Sequence, residues 1–280
     1  MKNNNLELLS KTIFTQYFEL FEFPNKEGKP YKSNGGEFKD SSIGPIPTNW
    51  DLKSIDELSI VKGRIGWRGY KSSDLVDDGP WVIGGKEINS DIVNLSGAKH
   101  IRRSKYDESP EIKLIDHDIL LAKTGTIGPV AMYYKEYGEA TINPNTCIIR
   151  ANSYSSILLI FLKSERAQYY LKEYTTSSVQ PAINQTNIKK LTIPLPNNEI
   201  ILKNYNEIFS KINESQKHLN EEINKLTKLR DTLLPNLMSS EIDVSEINFD
   251  LKLIYINHIY TRETFSSFFF VILIYKEEKT

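Results

Sequence analysis

Apolar side chains recur every seven residues in the last third of the chain, over residues 199–234. Five positions carry the repeat: Tyr205, Ile212, Leu219, Leu226 and Leu233. Neither glycine nor proline interrupts it before Pro235, and charges of both signs cover the remaining positions. A heptad repeat of this length predicts a helix, about 50 Å long, whose apolar seam packs against another long helix. The alternative is an amphipathic helix that lies on its own domain.

A shorter apolar and aromatic repeat lies near the start of the chain, over residues 6–23. Ile13 and Leu20 are seven residues apart in it, and Pro24 ends the helix that this spacing predicts. No other segment shows heptad-like spacing. Two arrangements stay open at this point. Either the two helices form an antiparallel pair with an overhang, or another chain completes the seam of the long helix.

Between residues 43 and 196 the pattern changes to short runs of strand-forming residues separated by turn residues. Runs at 81–83, 118–123, 129–134 and 146–150 predict strands, and residues 155–174 predict a helix. The predicted fold class is therefore α+β. It combines one mixed α/β domain with a long coiled-coil helix and a shorter N-terminal helix, which together form an antiparallel helical spacer.

Composition narrows the class of protein. The 280 residues hold 35 lysines and arginines against 36 aspartates and glutamates, a formal net charge of −1. This balance excludes a globally basic polymer binder but allows a local basic face. The single cysteine, Cys147, can form no intramolecular disulfide and fits a reducing compartment. Because the apolar runs are too short to span a membrane and no export signal is visible, we expect a cytoplasmic protein without membrane contact.

Side chains that could perform catalysis are scattered along the chain. The four histidines lack zinc-ligand spacing: His100, His117, His218 and His258. The acidic cluster at 116–118 is typical of a polar turn before a strand, and the glycine-rich stretch 123–128 lacks the spacing of a nucleotide-binding P-loop. Glu111 and Lys113, with Asp91 upstream, only loosely resemble a nuclease carboxylate set. We therefore expect no enzymatic activity, no metal and no cofactor, and favour a binding role.

Positive charge and aromatic rings cluster twice within the mixed domain. The first cluster holds Lys62, Arg64, Trp67, Arg68 and Lys71, and the second holds Lys99, Arg102, Arg103, Lys105 and Tyr106. Both predict DNA or RNA contact, because basic side chains neutralise phosphates and aromatic rings stack on bases. The alternative for either cluster is an ordinary solvated loop.

Weaker candidates for nucleic-acid contact lie outside these two clusters. They are Lys123, Thr124, Gln180 and Asn184. For the first two, the alternative is a purely structural turn. Amide side chains hydrogen-bond well to adenine edges, but they equally cap helices.

Five segments, in order, resemble the specificity subunits of type I restriction-modification systems. Residues 14–37 are similar to the central conserved region of that family, and residues 43–50 to the G-x-I-P-x-x-W opening of its target-recognition domain. Residues 118–128 resemble the GDILL…GxxG strand and turn of that domain, and residues 180–195 resemble its closing segment, which ends in I-P-x-P. Residues 226–242 resemble the distal helix end LRDxLLPxLxSGEI. The order of the motifs makes the resemblance specific.

The resemblance implies a non-catalytic subunit that recognises double-stranded DNA and recruits methyltransferase and restriction subunits. A full family member carries two recognition domains, held apart by two long antiparallel helices. This chain has one such domain and a short first helix, and residues 251–280 extend past the expected end. These differences imply a half-length subunit that recognises one half of a split target. It would pair through its helices with itself, as a homodimer, or with another half-subunit.

On this resemblance the chain divides into a partial central conserved helix with a linker (1–42), a DNA target-recognition domain (43–198), a distal conserved coiled-coil helix (199–250) and a tail of unknown role (251–280). The helix-pairing residues are then Ile13, Leu20 and the five heptad positions. Self-pairing predicts a palindromic split target. Three alternatives stay open: a truncated remnant, a coiled-coil assembly module that binds no DNA, and an enzyme in its own right.

Overall fold

The computed structural model describes residues 2–64, 69–89, 92–176 and 181–238, and the chain divides into two compact units, residues 1–220 and 221–280. The predicted tail therefore lies outside the described residues. The helices are α1 (Lys2–Phe14), α2 (Ile55–Leu58), α3 (Arg103–Asp107), α4 (Ser155–Lys163), α5 (Glu165–Glu173), α6 (Gln185–Lys190) and α7 (Glu199–Met238).

The strands are short and lie in the first unit. They are β1 (Phe38–Lys39), β2 (Ile46–Pro47), β3 (Trp50–Ser54), β4 (Ile60–Gly63), β5 (Leu75–Ile83), β6 (Ile88–Asn89), β7 (Ile92–Val93), β8 (Lys99–Ile101), β9 (Ile119–Ala122), β10 (Val130–Met132), β11 (Ala140–Ile142), β12 (Thr146–Arg150) and β13 (Thr192–Pro196). Mixed strands and helices followed by a long helix confirm the predicted α+β class.

A four-stranded antiparallel sheet in the order β10-β9-β12-β4 forms the centre of this unit. Alternate side chains of its strands point to opposite faces. On one face Leu121 and Ile149 join a core with α4, and on the other Leu120 and Ile148 join a core with Ile83 of the β11-β5-β8 sheet. Burial on both faces explains why β9 and β12 are continuous apolar runs rather than alternating ones.

The strand register fixes which loops meet. Cys147 of β12 lies opposite Leu121 of β9 on one side and Gly63 of β4 on the other. Both pairings are antiparallel, so β4 and β9 run in the same direction and finish at the end of the sheet where β12 begins. Burial raises the pKa of the Cys147 thiol to about 12, so this thiol stays protonated and serves as a small apolar group.

The N-terminal segment packs into the same core as the mixed domain. The predicted N-terminal helix ends early, because α1 stops at Phe14 and a five-residue π-helical turn follows. Trp50 of β3 is only 1% exposed. It lies among the rings of Phe18, Phe21 and Phe23, with centroids 5.6, 5.4 and 5.0 Å away. The boundary predicted at residue 42 is thus not a break in the packing.

Helix α7 confirms the predicted long helix and continues past Pro235. In the first unit, its heptad residues Tyr205 and Ile212 are buried by their own domain. The ring of Tyr205 meets those of Tyr17 and Phe18, at centroid distances of 6.0 and 5.0 Å. The first part of the helix therefore packs against both the predicted N-terminal helix segment and the mixed domain of its own chain, where the hydroxyl of Tyr134 donates to Oδ1 of Asn213 (2.6 Å).

The remaining helix-pairing candidates differ in burial. Leu219 is half-buried in the first unit, as is Ile13, which packs against the core. Leu20 is exposed. In the second unit, Leu226 and Leu233 are 57% and 37% exposed, so an apolar face of α7 is open to solvent there. Pairing through this face stays a prediction.

Candidate nucleic-acid interface

Four stretches of chain meet at the end of the central sheet where β4 and β9 finish. The backbone N–H of Lys123 donates to the carbonyl of Asn145 (2.8 Å), and the N–H of Ile183 donates to the carbonyl of Lys123 (2.9 Å). Thr124 also forms an antiparallel bridge with Ala182. We call residues 62–64, 123–128, 143–145 and 181–185 the loop end. The topology thus places Lys62, Lys123, Thr124 and Asn184, which are far apart in sequence, at the same end of the sheet.

Glycines hold the turn at 123–128 in shape. Gly125 and Gly128 have φ angles of +79° and +110°, which favour glycine. A Cβ on Gly128 would also lie 2.3 Å from Oε1 of Gln168, whose amide nitrogen donates to the Gly128 carbonyl (2.9 Å). The turn therefore has a structural role. It fixes the backbone from which Lys123 and Thr124 project.

The two amide side chains at the start of α6 behave differently. Asn184 is the N-cap of α6, and its side-chain oxygen accepts from the backbone N–H of Asn187 (2.8 Å). Gln185 is half-buried, and its amide end lies over Gly63 of β4. The predicted DNA-binding role of Asn184 therefore competes with its role as a helix cap, whereas the Gln185 amide has no such function.

The lysines of the loop end carry uncompensated charge. Lys62 is exposed and Lys123 is half-buried. In the described part of the chain, neither forms an ion pair with a carboxylate. Positive charge at this end is therefore available to a polyanion.

Arg64 requires a correction to its predicted role. Its side chain is buried, and its guanidinium donates from Nε to the carbonyl of Ile142 (2.9 Å) and from Nη2 to Oγ1 of Thr141 (3.0 Å). Burial also lowers the pKa of Arg64. These bonds tie β4 to β11, so Arg64 holds the two sheets together rather than contacting DNA.

Carboxylates pair with most of the charges of the second basic cluster, and one of them, Asp74, also bonds to the backbone of Lys71 from the first cluster. Asp74 accepts from the backbone N–H of Lys71 (2.7 Å) and from the guanidinium of Arg102. These two interactions hold the pKa of Asp74 below its ordinary value. The charge of Arg102 is therefore paired within the protein.

The other members of the second cluster show the same pattern. Arg103 makes a forked ion pair with Glu139 (2.8 and 2.5 Å), which lowers the pKa of that carboxyl. Lys105 pairs with Glu108 (2.6 Å). Tyr106 is buried, which removes it from direct base stacking. Lys99, exposed on β8, has no carboxylate partner in the described ranges.

Three predicted site residues, Trp67, Arg68 and Gln180, lie outside the described residues. Sequence reasoning left Asn145 out of the site and included Gln185 only as the last residue of an amide-rich candidate stretch, residues 180–185. The signal for both is topological, because Gln185 approaches Gly63 and Asn145 bonds to Lys123 only through the sheet register.

The acidic cluster at 116–118 is the polar turn that the pattern indicated. Asp118 is buried and accepts from Nε and Nη2 of Arg150 (2.8 and 2.7 Å), while Asp116 accepts from the backbone N–H of Lys135 (3.1 Å). Among the described residues, no group of three acidic, histidine or cysteine side chains could hold a metal ion. No described helix is long and apolar enough to cross a membrane.

The fold and the loop end define the class of this protein. It is an α+β domain that presents a cluster of loops at one end of its central sheet and carries a long C-terminal helix. The chain belongs to the family of type I restriction modification DNA specificity domains, whose family model matches residues 19–226. Specificity subunits of type I systems are non-catalytic, in agreement with the expectation of no enzymatic activity.

Individual relatives share this description. The type I restriction enzyme MjaIX specificity subunit of Methanocaldococcus jannaschii is 26% identical over 201 residues, 68% of this chain and 44% of the relative. The putative MjaX specificity subunit of the same organism is 25% identical over 215 residues, 73% of this chain and 49% of the relative. The chain thus spans about half the length of the curated relatives that it matches.

A solved structure is also similar. The crystal structure of the type I restriction-modification S subunit from M. genitalium is 19% identical, with a TM-score of 0.49. The match covers 68% of this chain and 46% of that one.

Proposed function

We propose that this chain is the DNA-recognition component of a type I restriction-modification complex and that its loop end contacts the duplex. The observation that carries the proposal is the meeting of Lys123 and Gln185 over Gly63 at one end of the sheet, with Lys62 one residue before Gly63 on β4; neither lysine has a carboxylate partner in the described chain. In such an interface, lysine–phosphate contacts set the register and polar side chains recognise base edges. Family membership supports DNA as the ligand.

We further propose that the chain recognises one half of a split target. The chain spans about half of its relatives, and the second half-site would be contacted by a partner joined through the exposed apolar face of α7, at Leu226 and Leu233. That partner is a second copy of the chain or another half-subunit. The resulting cytoplasmic assembly would recruit methyltransferase and restriction subunits.

Salt-dependent binding tests the DNA contact. The purified full chain is titrated with a pool of random-sequence duplex DNA at a series of salt concentrations. We expect log Kd to depend steeply on log salt, because bound lysines release counterions. Changing Lys62→Gln and Lys123→Gln together should lower the slope by about one for each lysine and weaken binding roughly tenfold or more at low salt.

The matched control removes the same charge from the second cluster, as Arg102→Gln with Lys105→Gln. Because those side chains are already paired with Asp74 and Glu108, we expect a much smaller effect on affinity and slope. Equal losses in the two double variants would contradict the assignment of the interface to the loop end. Binding that does not depend on salt would contradict the DNA-recognition function.

Genome methylation tests the proposed complex. Adenine methylation is mapped across the host genome with and without this gene. We expect a split motif to lose its methylation on deletion. A palindromic motif supports a homodimer, since two-fold symmetry of the protein imposes it on the site, and an asymmetric motif supports a mixed pair. Unchanged methylation would contradict recruitment of a methyltransferase.

A further inference from the structure

The side chain of Gln185 passes directly over the backbone of Gly63. A Cβ added at Gly63 would lie 2.5 Å from Nε2 of Gln185 and 3.7 Å from Cε of Lys123. The missing side chain therefore leaves a slot at the end of β4, filled by the Gln185 amide with the lysine stem alongside. The slot restricts the Gln185 side chain before any ligand binds, which lowers the entropic cost of using it in recognition.

The hydrogen-bonding capacity of the Gln185 amide is unused in the described structure. Its neighbour Asn184 is committed to the backbone N–H of Asn187. In the adjacent turn, the side-chain oxygen of Asn143 accepts from the N–H of Asn145 (2.9 Å). The side chain of Gln185 has no hydrogen-bond partner among the described residues, although the residue is half-buried. A held, half-buried amide with free donor and acceptor groups suits recognition of a base edge.

We propose that Gln185 recognises an adenine in the major groove, an inference that rests on the proposed DNA-recognition function. The amide nitrogen would donate to N7 of the base and the amide oxygen would accept from its N6 amino group, the bidentate geometry that glutamine makes with adenine. Lys123, next to the amide, would hold a phosphate of the same site. Gly63 is the positioning residue, because only its missing Cβ leaves room for the amide.

The test selects preferred sequences from a pool of randomised duplex DNA with the full chain and three variants. Gln185→Ala removes the bidentate contact, so one adenine position should lose discrimination by roughly 5- to 100-fold, with the salt dependence unchanged. Gln185→Glu turns the donor into an acceptor and should shift preference at that position towards cytosine. Gln216→Glu, the same change on α7, is the control and should leave every position unchanged.

Gly63→Ala fills the slot and leaves the chemistry of the Gln185 side chain unchanged. The backbone at Gly63 is not in the left-handed region, and the nearest atom is the end of a flexible side chain, so the variant should fold. We expect it to weaken discrimination at the same position as Gln185→Ala while keeping the total affinity.

The outcomes separate the inference from the proposed function. An unchanged preference in both Gln185 variants, or a uniform loss of affinity across all sequences, would overturn the role of Gln185 and leave DNA recognition intact. Failure of the unaltered chain both to enrich any sequence and to bind DNA in a salt-dependent way would contradict the proposed function itself.

Discussion

The two basic clusters look alike in sequence and differ in the folded chain. Lys62 of the first cluster has no carboxylate partner in the described structure, and neither has Lys123, which lies outside both clusters in sequence but at the same loop end. Around α3, Arg102 and Arg103 are each held by a carboxylate from a distant part of the chain, Asp74 or Glu139. The local density of lysine and arginine is therefore a poor guide to the surface potential, because the potential depends on partners that the fold supplies.

The same comparison separates structural from exposed charge within a single cluster. Lys62 and Arg64 are two residues apart on or just after β4. Side chains of a strand alternate between its two faces, so Lys62 and Arg64, two residues apart, would point to the same face if the strand continued. The strand ends at Gly63, and Arg64 turns inward to the carbonyl of Ile142. One residue faces solvent and the other joins two sheets.

The largest effect we expect in this comparison is on stability, at Arg64. Arg64→Ala leaves the carbonyl of Ile142 and the hydroxyl of Thr141 without their buried donor, which should destabilise the fold by about 2–4 kcal/mol. Lys62→Ala, two residues away and exposed, should change stability by less than about 0.5 kcal/mol. Urea unfolding of the two variants measures the difference. Equal stabilities would show that the Arg64 bonds are not needed for the fold.

Much of the fold was accessible from the sequence because local patterns determine it. The heptad repeat predicted α7, and the apolar runs predicted β9 and β12. The helix predicted over 155–174 is instead two helices, α4 and α5, divided at Ser164. The hydroxyl of Ser164 accepts from the N–H of Ala167 (3.3 Å) and so begins a new helix. A single serine in an apolar run is a weak signal for such a break.

The partner of the heptad seam could not be predicted from periodicity alone. A seven-residue repeat specifies that one face is apolar, but not what covers it. Tyr205 and Ile212 are covered by their own domain, whereas Leu226 is exposed in the second unit. The same heptad repeat therefore continues from a buried part of the helix into an exposed part.

The candidate site could not be predicted from local patterns either, because its contacts join residues that are far apart in sequence. Gln185 reaches Gly63 across 122 residues of sequence only because α6 begins beside the end of β4. The carboxylates that neutralise Arg102 and Arg103 lie 28 and 36 residues away. The resemblance of short motifs identified the family correctly, but only the tertiary structure distinguishes paired from unpaired charge.

A smaller effect, on DNA affinity, is expected when the arginines of the second cluster lose their carboxylate partners, as the lysines of the loop end already lack them. Asp74→Asn with Glu139→Gln removes the carboxylates that neutralise Arg102 and Arg103, and keeps the size of each side chain. We expect affinity for random duplex DNA to rise by about 3- to 10-fold at low salt, with a steeper salt dependence. Titration against the unaltered chain measures both quantities.

The control for that variant removes the same charge elsewhere, as Asp51→Asn with Glu136→Gln, whose partners are Lys39 and Lys217. An equal rise in affinity would mean that net charge, rather than its position, decides binding.

The pH dependence of stability tests whether Asp74 and Glu139 hold the two arginines. Both carboxyls have pKa values lowered from 3.8 (Asp74, mainly by the N–H of Lys71) and 4.5 (Glu139, mainly by Arg103). A lowered folded-state pKa contributes stability above the unfolded pKa, and this contribution disappears as the pH falls through the folded value. The stability difference between the unaltered chain and the Asp74→Asn, Glu139→Gln variant should therefore be constant near neutral pH and vanish only below these ordinary values. A difference that already disappears between pH 5 and 6 would show that the two carboxylates do not hold the arginines as the structure indicates.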